Sequence, residues 1–145
     1  FAHGIPVLIG KFFKGKWPID LGKKMKDGQP IFGPGKTWPG FLIAVGVGTL
    51  IGLLQSRPFA GFLLAFGALS GDLVKSFFKR RLNMARGKSW PIADQLDFVI
   101  GALLFVSIVE MPSVQTIIIV LILTPLVHLA TNVAAYALKL KKEWY

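Results

Sequence analysis

The side chains able to do chemistry gather in three short stretches. The first reads Gly71-Asp72-Leu73-Val74-Lys75-Ser76-Phe77-Phe78-Lys79-Arg80-Arg81. Spacings of three and four place Asp72, Lys75, Ser76 and Lys79 on one face of a helix. The second stretch supplies Asp94 and Asp97, again three apart. Three carboxylates at one depth repel one another unless a cation joins them. Hard oxygen ligands of this kind suit Mg²⁺, which is commonly held by one or two carboxylates together with substrate phosphates. Each Asp also has a plainer reading. Asp72 could form a structural ion pair with Lys75 or Lys79, and Asp94 could stabilise the positive end of a helix dipole. A cap explains one Asp and leaves the other two.

The third stretch, Gly33-Pro34-Gly35-Lys36-Thr37-Trp38-Pro39-Gly40, runs straight into an apolar segment. Flexible glycines, a lysine and a helix N-terminus can cradle phosphate. It is not a Walker A loop, since position 30 is Pro where that pattern needs Gly. By spacing alone the signal is weak, and an ordinary loop is the readier reading. His128 lies among Thr124, Thr131 and Asn132, a setting for interhelical hydrogen bonds or for a cavity wall, and His3 lies near the start. Neither is expected to be a catalyst.

The elements that must position these groups are apolar runs. Of the 145 residues, 53% are hydrophobic and only 17% are charged, and mean hydropathy is +0.59. Soluble domains are less apolar and more charged. The runs predict membrane helices at 39–55, 58–75, 94–110 and 116–138, each able to approach the roughly 20 residues that a span needs. The short breaks at 55–58 and 111–115 make the joined helices antiparallel neighbours. Phe1–Phe13 is apolar but too short to span, and reads as the tail of a further helix. It lacks the basic n-region and cleavage site of a signal peptide. Gly48/Gly52 and Gly67/Gly71 are small-xxx-small pairs that let helices approach closely. The fold class expected is an all-α integral membrane bundle forming a single domain.

Charge then assigns the sides. The 17 Lys and Arg exceed the 7 Asp and Glu, for a net charge of +10. Lys11, Lys14, Lys16, Lys23, Lys24, Lys26 and Lys36 fall in or beside the loop 14–38. Lys75, Lys79, Arg80, Arg81, Arg86 and Lys88 fall in or beside the loop 76–93, and Lys139, Lys141 and Lys142 follow the last span. Two spans separate each of these groups from the next, so all three share a side. The opposite loops hold only Arg57. The positive-inside rule makes the basic side cytoplasmic. A pI near 10.2 by itself would suit nucleic acid, but so much uncharged apolar chain argues for the bilayer and against a nucleic-acid partner. With no cysteine there is no disulfide framework, thiolate zinc site or cysteine nucleophile.

These residues resemble a known family. Gly71-Asp72-Leu73, Ser76 and Lys79-Arg80, followed by Asp94 and Asp97, are similar to the signature of the CTP-dependent phosphatidate cytidylyltransferases. Gly35-Lys36-Thr37-Trp38 resembles the segment before a membrane helix in that family. Two departures separate the chain from the bacterial and eukaryotic pattern. Gly87-Lys88-Ser89-Trp90-Pro91-Ile92-Ala93 stands in place of Pro-Gly-His-Gly-Gly, and Pro39 replaces an acidic residue. The archaeal branch, the CDP-archaeol synthases, is more similar. Its likeness lies in Pro18-Ile19-Asp20 with Gly22, Asp27-Gly28, Ile31-Phe32-Gly33, Lys79-Arg80-Arg81, Trp90-Pro91 and Asp94-Gln95-Leu96-Asp97. The resemblance is strong over 18–104 and rests on hydropathy alone in the last span. It implies five membrane helices, in agreement with four spans and the tail of a first.

The resemblance also implies transfer of a cytidylyl group from CTP to a lipid phosphate, unsaturated archaetidic acid in the archaeal branch, with release of pyrophosphate. A phosphate monoester is largely dianionic near neutral pH, so no general base is needed and the absence of His from the motifs is consistent. The obstacle is charge, because an anionic lipid must attack an anionic nucleotide. Catalysis then becomes positioning and neutralisation. The resemblance implies Mg²⁺ held by Asp72, Asp94 and Asp97, with Lys79 among the catalytic groups. Lys36, Thr37, Ser76, Lys79 and Arg80 would hold the triphosphate. Asp20 and Asp27 match the archaeal pattern, with a role in loop structure or cytidine contact. Lys75, Arg81, Arg86 and Lys88 could serve the site or face anionic lipid. Two rivals stay open at this point: an enzyme acting on ester-linked phosphatidate, and a non-catalytic ion-binding or transport protein.

Overall fold

The computed structural model describes residues 17–84, 90 and 93–137. The expectations for Phe1–Phe13, Arg86, Lys88 and the residues from 138 onward concern positions outside the described residues, as does the side chain of His128. The described chain is helical: α1 (Trp38–Leu54), α2 (Pro58–Arg81), α3 (Ala93–Val106) and α4 (Val114–Ala137). Two isolated bridges, Pro18 with Thr37 and Lys24 with Pro30, tie up the loop before α1.

Local chemistry sets the helix ends. Thr37 caps α1, its hydroxyl accepting from the Gly40 N–H at 3.4 Å, and Pro39 follows in the first turn, where a missing N–H costs nothing. Pro58 opens α2 in the same way. Ser113 caps α4, its Oγ accepting from the Thr116 N–H at 3.1 Å. Two ends differ from the hydropathy reading. Helix α2 does not stop at 75 but runs on to Arg81. Its last turn carries Lys79, Arg80 and Arg81, cations that favour the negative end of the helix dipole. The turn after it is closed by Asn83 at φ +51, a residue that tolerates the left-handed region. Helix α3 ends at Val106 and not 110, and the chain tightens into turns in which Ile108 donates to Phe105 O and Val109 to Val106 O.

Helix α2 sits between α1 and α3, and α4 packs on α3. Glycine brings the axes together. A Cβ on Gly52 would stand 2.8 Å from the Gly61 Cα, and one on Gly48 would overlap the Ala65 side chain. On the other side, Gly67 packs on the Gly101 carbonyl and Gly71 on the Asp97 carbonyl, with no room for a Cβ. Both expected small-residue pairs are thus used as helix contacts. Phe41, Phe66 and Phe105 link α1, α2 and α3 through ring centroids 5.7 and 5.2 Å apart.

The Gly71 contact has a direct consequence for the site, because it fixes the height of Asp97 beside Asp72. Gly71→Ala is expected to push α2 and α3 apart, with the overpacking cost of about 1–3 kcal/mol read as a lower thermal midpoint in detergent and a loss of activity. An unchanged midpoint would refute the close approach.

The outer surface is apolar. Leu50, Leu53 and Leu54 on α1, Ile100 and Leu104 on α3, and Ile118, Ile119, Ile122 and Leu126 on α4 are all exposed, far more apolar area than a water-facing monomer presents. By length and composition α2 can cross a membrane, while α1 and residues 114–127 of α4 are apolar but shorter.

Candidate active site

The site forms where the last turns of α2 meet the first turns of α3, beneath the loop 17–37. Helix α2 offers Asp72 and Lys75 one turn apart, then Lys79 a turn further on. Helix α3 runs back antiparallel and brings in Asp94 and Asp97. The ammonium of Lys75 lies at the centre, its Nζ 3.2 Å from Asp72 Oδ1, 3.1 Å from Asp94 Oδ1 and 2.7 Å from Asp97 Oδ2. Lys79 Nζ approaches both oxygens of Asp94, at 2.7 and 2.9 Å. The loop contributes Lys36, whose ammonium pairs with Asp72 Oδ2. Three carboxylates, from α2 and α3, are therefore matched by three lysines, one from the loop and two from α2.

Burial makes this arrangement consequential. The Asp97 side chain is 6% exposed and that of Lys75 11%, and charges in such surroundings persist only when paired. Lys75 is the one cation within ion-pair distance of Asp97 among the described residues, and Asp97 Oδ1 is buried with no well-aligned hydrogen-bond donor. Asp94 does two jobs. Besides its lysines, its Oδ2 accepts from the Trp90 N–H at 2.7 Å just ahead of α3, so the helix-terminus role and the cluster role coexist.

The loop above the cluster is organised by Asp20. This carboxylate, 6% exposed, accepts from the Gly22 N–H at 3.1 Å, from Phe32 at 3.0 Å and from Gly33 at 2.9 Å. Burial alone would raise its pKa, but the N–H groups of Gly33, Phe32 and Gly22 outweigh it and hold the carboxyl below the ordinary value. Gly33 adopts φ +96, open to glycine at no steric cost. Asp20 therefore builds the loop that presents Lys36.

The other candidates divide. Arg81 is a clamp: its NH2 donates to Pro30 O at 2.7 Å and Gln29 O at 3.3 Å, its NH1 lies 3.2 Å from Asp27 Oδ1, and its guanidinium stacks 5.1 Å above the Phe77 ring. Asp27 also accepts from the Gln29 N–H. Both act on loop structure. Thr37 is the α1 cap, its hydroxyl oxygen accepting from the Gly40 N–H. Ser76 is buried on the Asp72 face of α2. Arg80 makes no ion pair among the described residues, its Nε is buried without an acceptor, and its side chain lies against Gly33. The central place of Lys75 is only partly legible in the sequence. Its spacing of three from Asp72 was the available signal, but its contacts with Asp94 and Asp97 arise only from the packing of α2 on α3.

The family model for the CDP-archaeol synthases, termed CarS-like, matches residues 4–58 and 56–145. The chain belongs to the CDP-archaeol synthase family. Among its relatives, the CDP-archaeol synthase of Thermococcus gammatolerans is 49% identical, over 94% of this chain and 84% of that protein. That of Pyrobaculum islandicum is 46% identical, over 98% and 90%, and that of Methanococcoides burtonii 41% identical, over 96% of each. A solved structure described as an intramembrane enzyme for archaeal membrane lipids biosynthesis superposes with a TM-score of 0.76 at 34% identity, over 90% of this chain and 85% of its own. As a CDP-archaeol synthase relative, the chain is an enzyme, a cytidylyltransferase.

The cluster can be judged against the Mg²⁺ that the resemblance implies. Hard anionic oxygens from three carboxylates, one of them with a buried oxygen lacking a well-aligned donor, are the donor type the ion takes. Among the described residues, however, no three acidic groups are placed as a metal cage, and the Lys75 ammonium stands between the three carboxylates. The donor type suits the ion, while the present arrangement is an ion-pair cluster around Lys75.

Proposed function

We propose that this protein transfers the cytidylyl group of CTP to an isoprenoid ether-lipid phosphate, forming CDP-archaeol and pyrophosphate at the cytoplasmic face of the membrane. The observation that carries the reading is the cluster of Asp72, Asp94 and Asp97 with Lys36, Lys75 and Lys79, within a chain that belongs to the CDP-archaeol synthase family. The four described helices are read as membrane spans, supported by their apolar exterior. The basic segments then lie on the cytoplasmic side.

In the reaction, an oxygen of the lipid phosphate attacks the α-phosphorus of CTP. The bond between that phosphorus and the α–β bridging oxygen breaks, and pyrophosphate leaves with the bond electrons. The nucleophile carries its charge already, so the chain has no proton to remove. Its task is to bring two anions together and to stabilise charge on the leaving group. Lys36 approaches from the loop, and Lys79 and Arg80 from the end of α2, on the side where the β- and γ-phosphates would lie. Asp72, Asp94 and Asp97 would hold Mg²⁺, which supplies neutralisation of the reacting phosphates. The lipid chains would extend along the helices, placing the phosphate at the level of Asp72.

The test is a radiolabelled-CTP assay with the full chain in detergent micelles, offering unsaturated archaetidic acid or phosphatidic acid, with and without Mg²⁺. The expected result is Mg²⁺-dependent CDP-lipid and pyrophosphate, faster with archaetidic acid. Preference for phosphatidic acid would overturn the ether-lipid assignment. Absence of product from either lipid would overturn the enzyme reading.

A further inference from the structure

The centre of the cluster poses a question that the reaction leaves open. Lys75 Nζ stands within 3.2 Å of one oxygen from each of the three carboxylates, where a cation serving all three would be most strongly held. The partners are unequal. Asp72 also pairs with Lys36, and Asp94 with Lys79. Lys75 is the one cation paired with Asp97 among the described residues, and Asp97 is the most deeply buried of the three side chains. A buried carboxylate stripped of its counter-ion is costly, so the metal-free protein depends on Lys75 at this point.

From this geometry we infer that Lys75 is a built-in counter-cation, which holds the three carboxylates together before metal arrives and yields them to it when nucleotide binds. The inference rests on the reading of Asp72, Asp94 and Asp97 as metal-holding groups. Lys75 is suited to the exchange. An ammonium is a compact charge on a flexible four-carbon stem. It can leave the carboxylates by rotation about its own bonds while α2 stays packed on α3 through Gly71 and Asp97. Displaced toward incoming phosphates, it would exchange three carboxylate contacts for anionic oxygens of the nucleotide, so its charge stays compensated in both states. A consequence follows for affinity. Without CTP the ammonium competes with the divalent ion for the same oxygens, and metal binding is coupled to nucleotide binding.

The test uses the full chain in detergent and reads stability and metal binding apart from turnover. Mn²⁺ binding is followed by electron paramagnetic resonance, and the thermal midpoint is taken with and without Mg²⁺. Wild type is expected to keep its midpoint in chelator, to bind Mn²⁺ weakly alone and to bind it at least tenfold more tightly with CTP. Lys75→Met should lose several degrees in chelator, regain them with Mg²⁺, and bind Mn²⁺ at least tenfold more tightly than wild type when CTP is absent. Lys75→Arg, which keeps the charge, should retain the chelator midpoint. Lys75→Met/Asp97→Asn, which removes charge and counter-ion together, should recover the midpoint without the tight Mn²⁺ binding. If wild type binds Mn²⁺ with CTP but Lys75→Met neither loses stability in chelator nor gains affinity, the counter-cation role is overturned while the metal assignment stands. If wild type binds no Mn²⁺ even with CTP, the metal assignment fails and the exchange fails with it.

Discussion

Asp97→Asn is expected to lower kcat/KM for CDP-lipid formation by about a thousandfold, about 4 kcal/mol of transition-state stabilisation, while leaving the protein folded. The substitution keeps shape and volume and removes one of the three negative charges. Stability should change little, because Lys75 retains Asp72 and Asp94 and because α3 is held by the backbone contact of Asp97 with Gly71, which the amide does not disturb. The rate should fall because the deepest anionic ligand is gone. A purely structural Asp97 predicts the reverse pattern, a reduced thermal midpoint with turnover per folded molecule intact. Steady-state kinetics beside a melting curve distinguish the two, and near-normal turnover would sink the metal assignment.

Much of this site could be read before any coordinates. Helical spacing put Asp72, Lys75, Ser76 and Lys79 on one face. The antiparallel return of the next helix brought Asp94 and Asp97 to the same level. The glycine pairs marked the contacts that set the interaxial distance. Three features were harder to read, each for a physical reason. Helix α2 outruns its apolar stretch because hydropathy reports what can face lipid, whereas the backbone ladder continues through basic residues that suit a helix C-terminus. The capping role of Thr37 is hard to separate from a nucleotide contact, because Thr followed closely by Pro and Gly at the start of an apolar run carries an N-cap signal while its hydroxyl keeps a proton to donate. The centrality of Lys75 depends on the rotation of α2 against α3, fixed by Gly71 and Asp97 meeting backbone to backbone, which no spacing within either segment encodes. CTP and the lipid rest on the likeness to the archaeal branch, and the family match shows the CDP-archaeol synthase family itself.

The neighbouring arginines Arg80 and Arg81 supply the second large effect, since the end of α2 turns them to different work. Arg81 spends its guanidinium within the protein, on the Gln29 and Pro30 carbonyls, the Asp27 carboxylate and the Phe77 ring. Arg80 differs in its partners: the Nε atoms of both arginines are buried without an acceptor, but among the described residues only Arg81 has an ion pair. Its side chain lies against Gly33, on the loop that delivers Lys36. A guanidinium held this way is poised for an anion brought in from outside, and its planar fork matches phosphate oxygens two at a time. Arg80→Met should therefore lower kcat/KM for CTP about a hundredfold, about 2.7 kcal/mol, with the thermal midpoint preserved. Arg80→Lys should recover part of the loss, since it restores the charge without the fork. Arg81→Met should do the opposite. Losing charge-assisted bonds worth about 1.5–3 kcal/mol each loosens the loop, lowers the midpoint and exposes the 24–31 segment to protease. Equal behaviour of the two variants in both assays would contradict this division, and full CTP turnover by Arg80→Met would remove that residue from the triphosphate site.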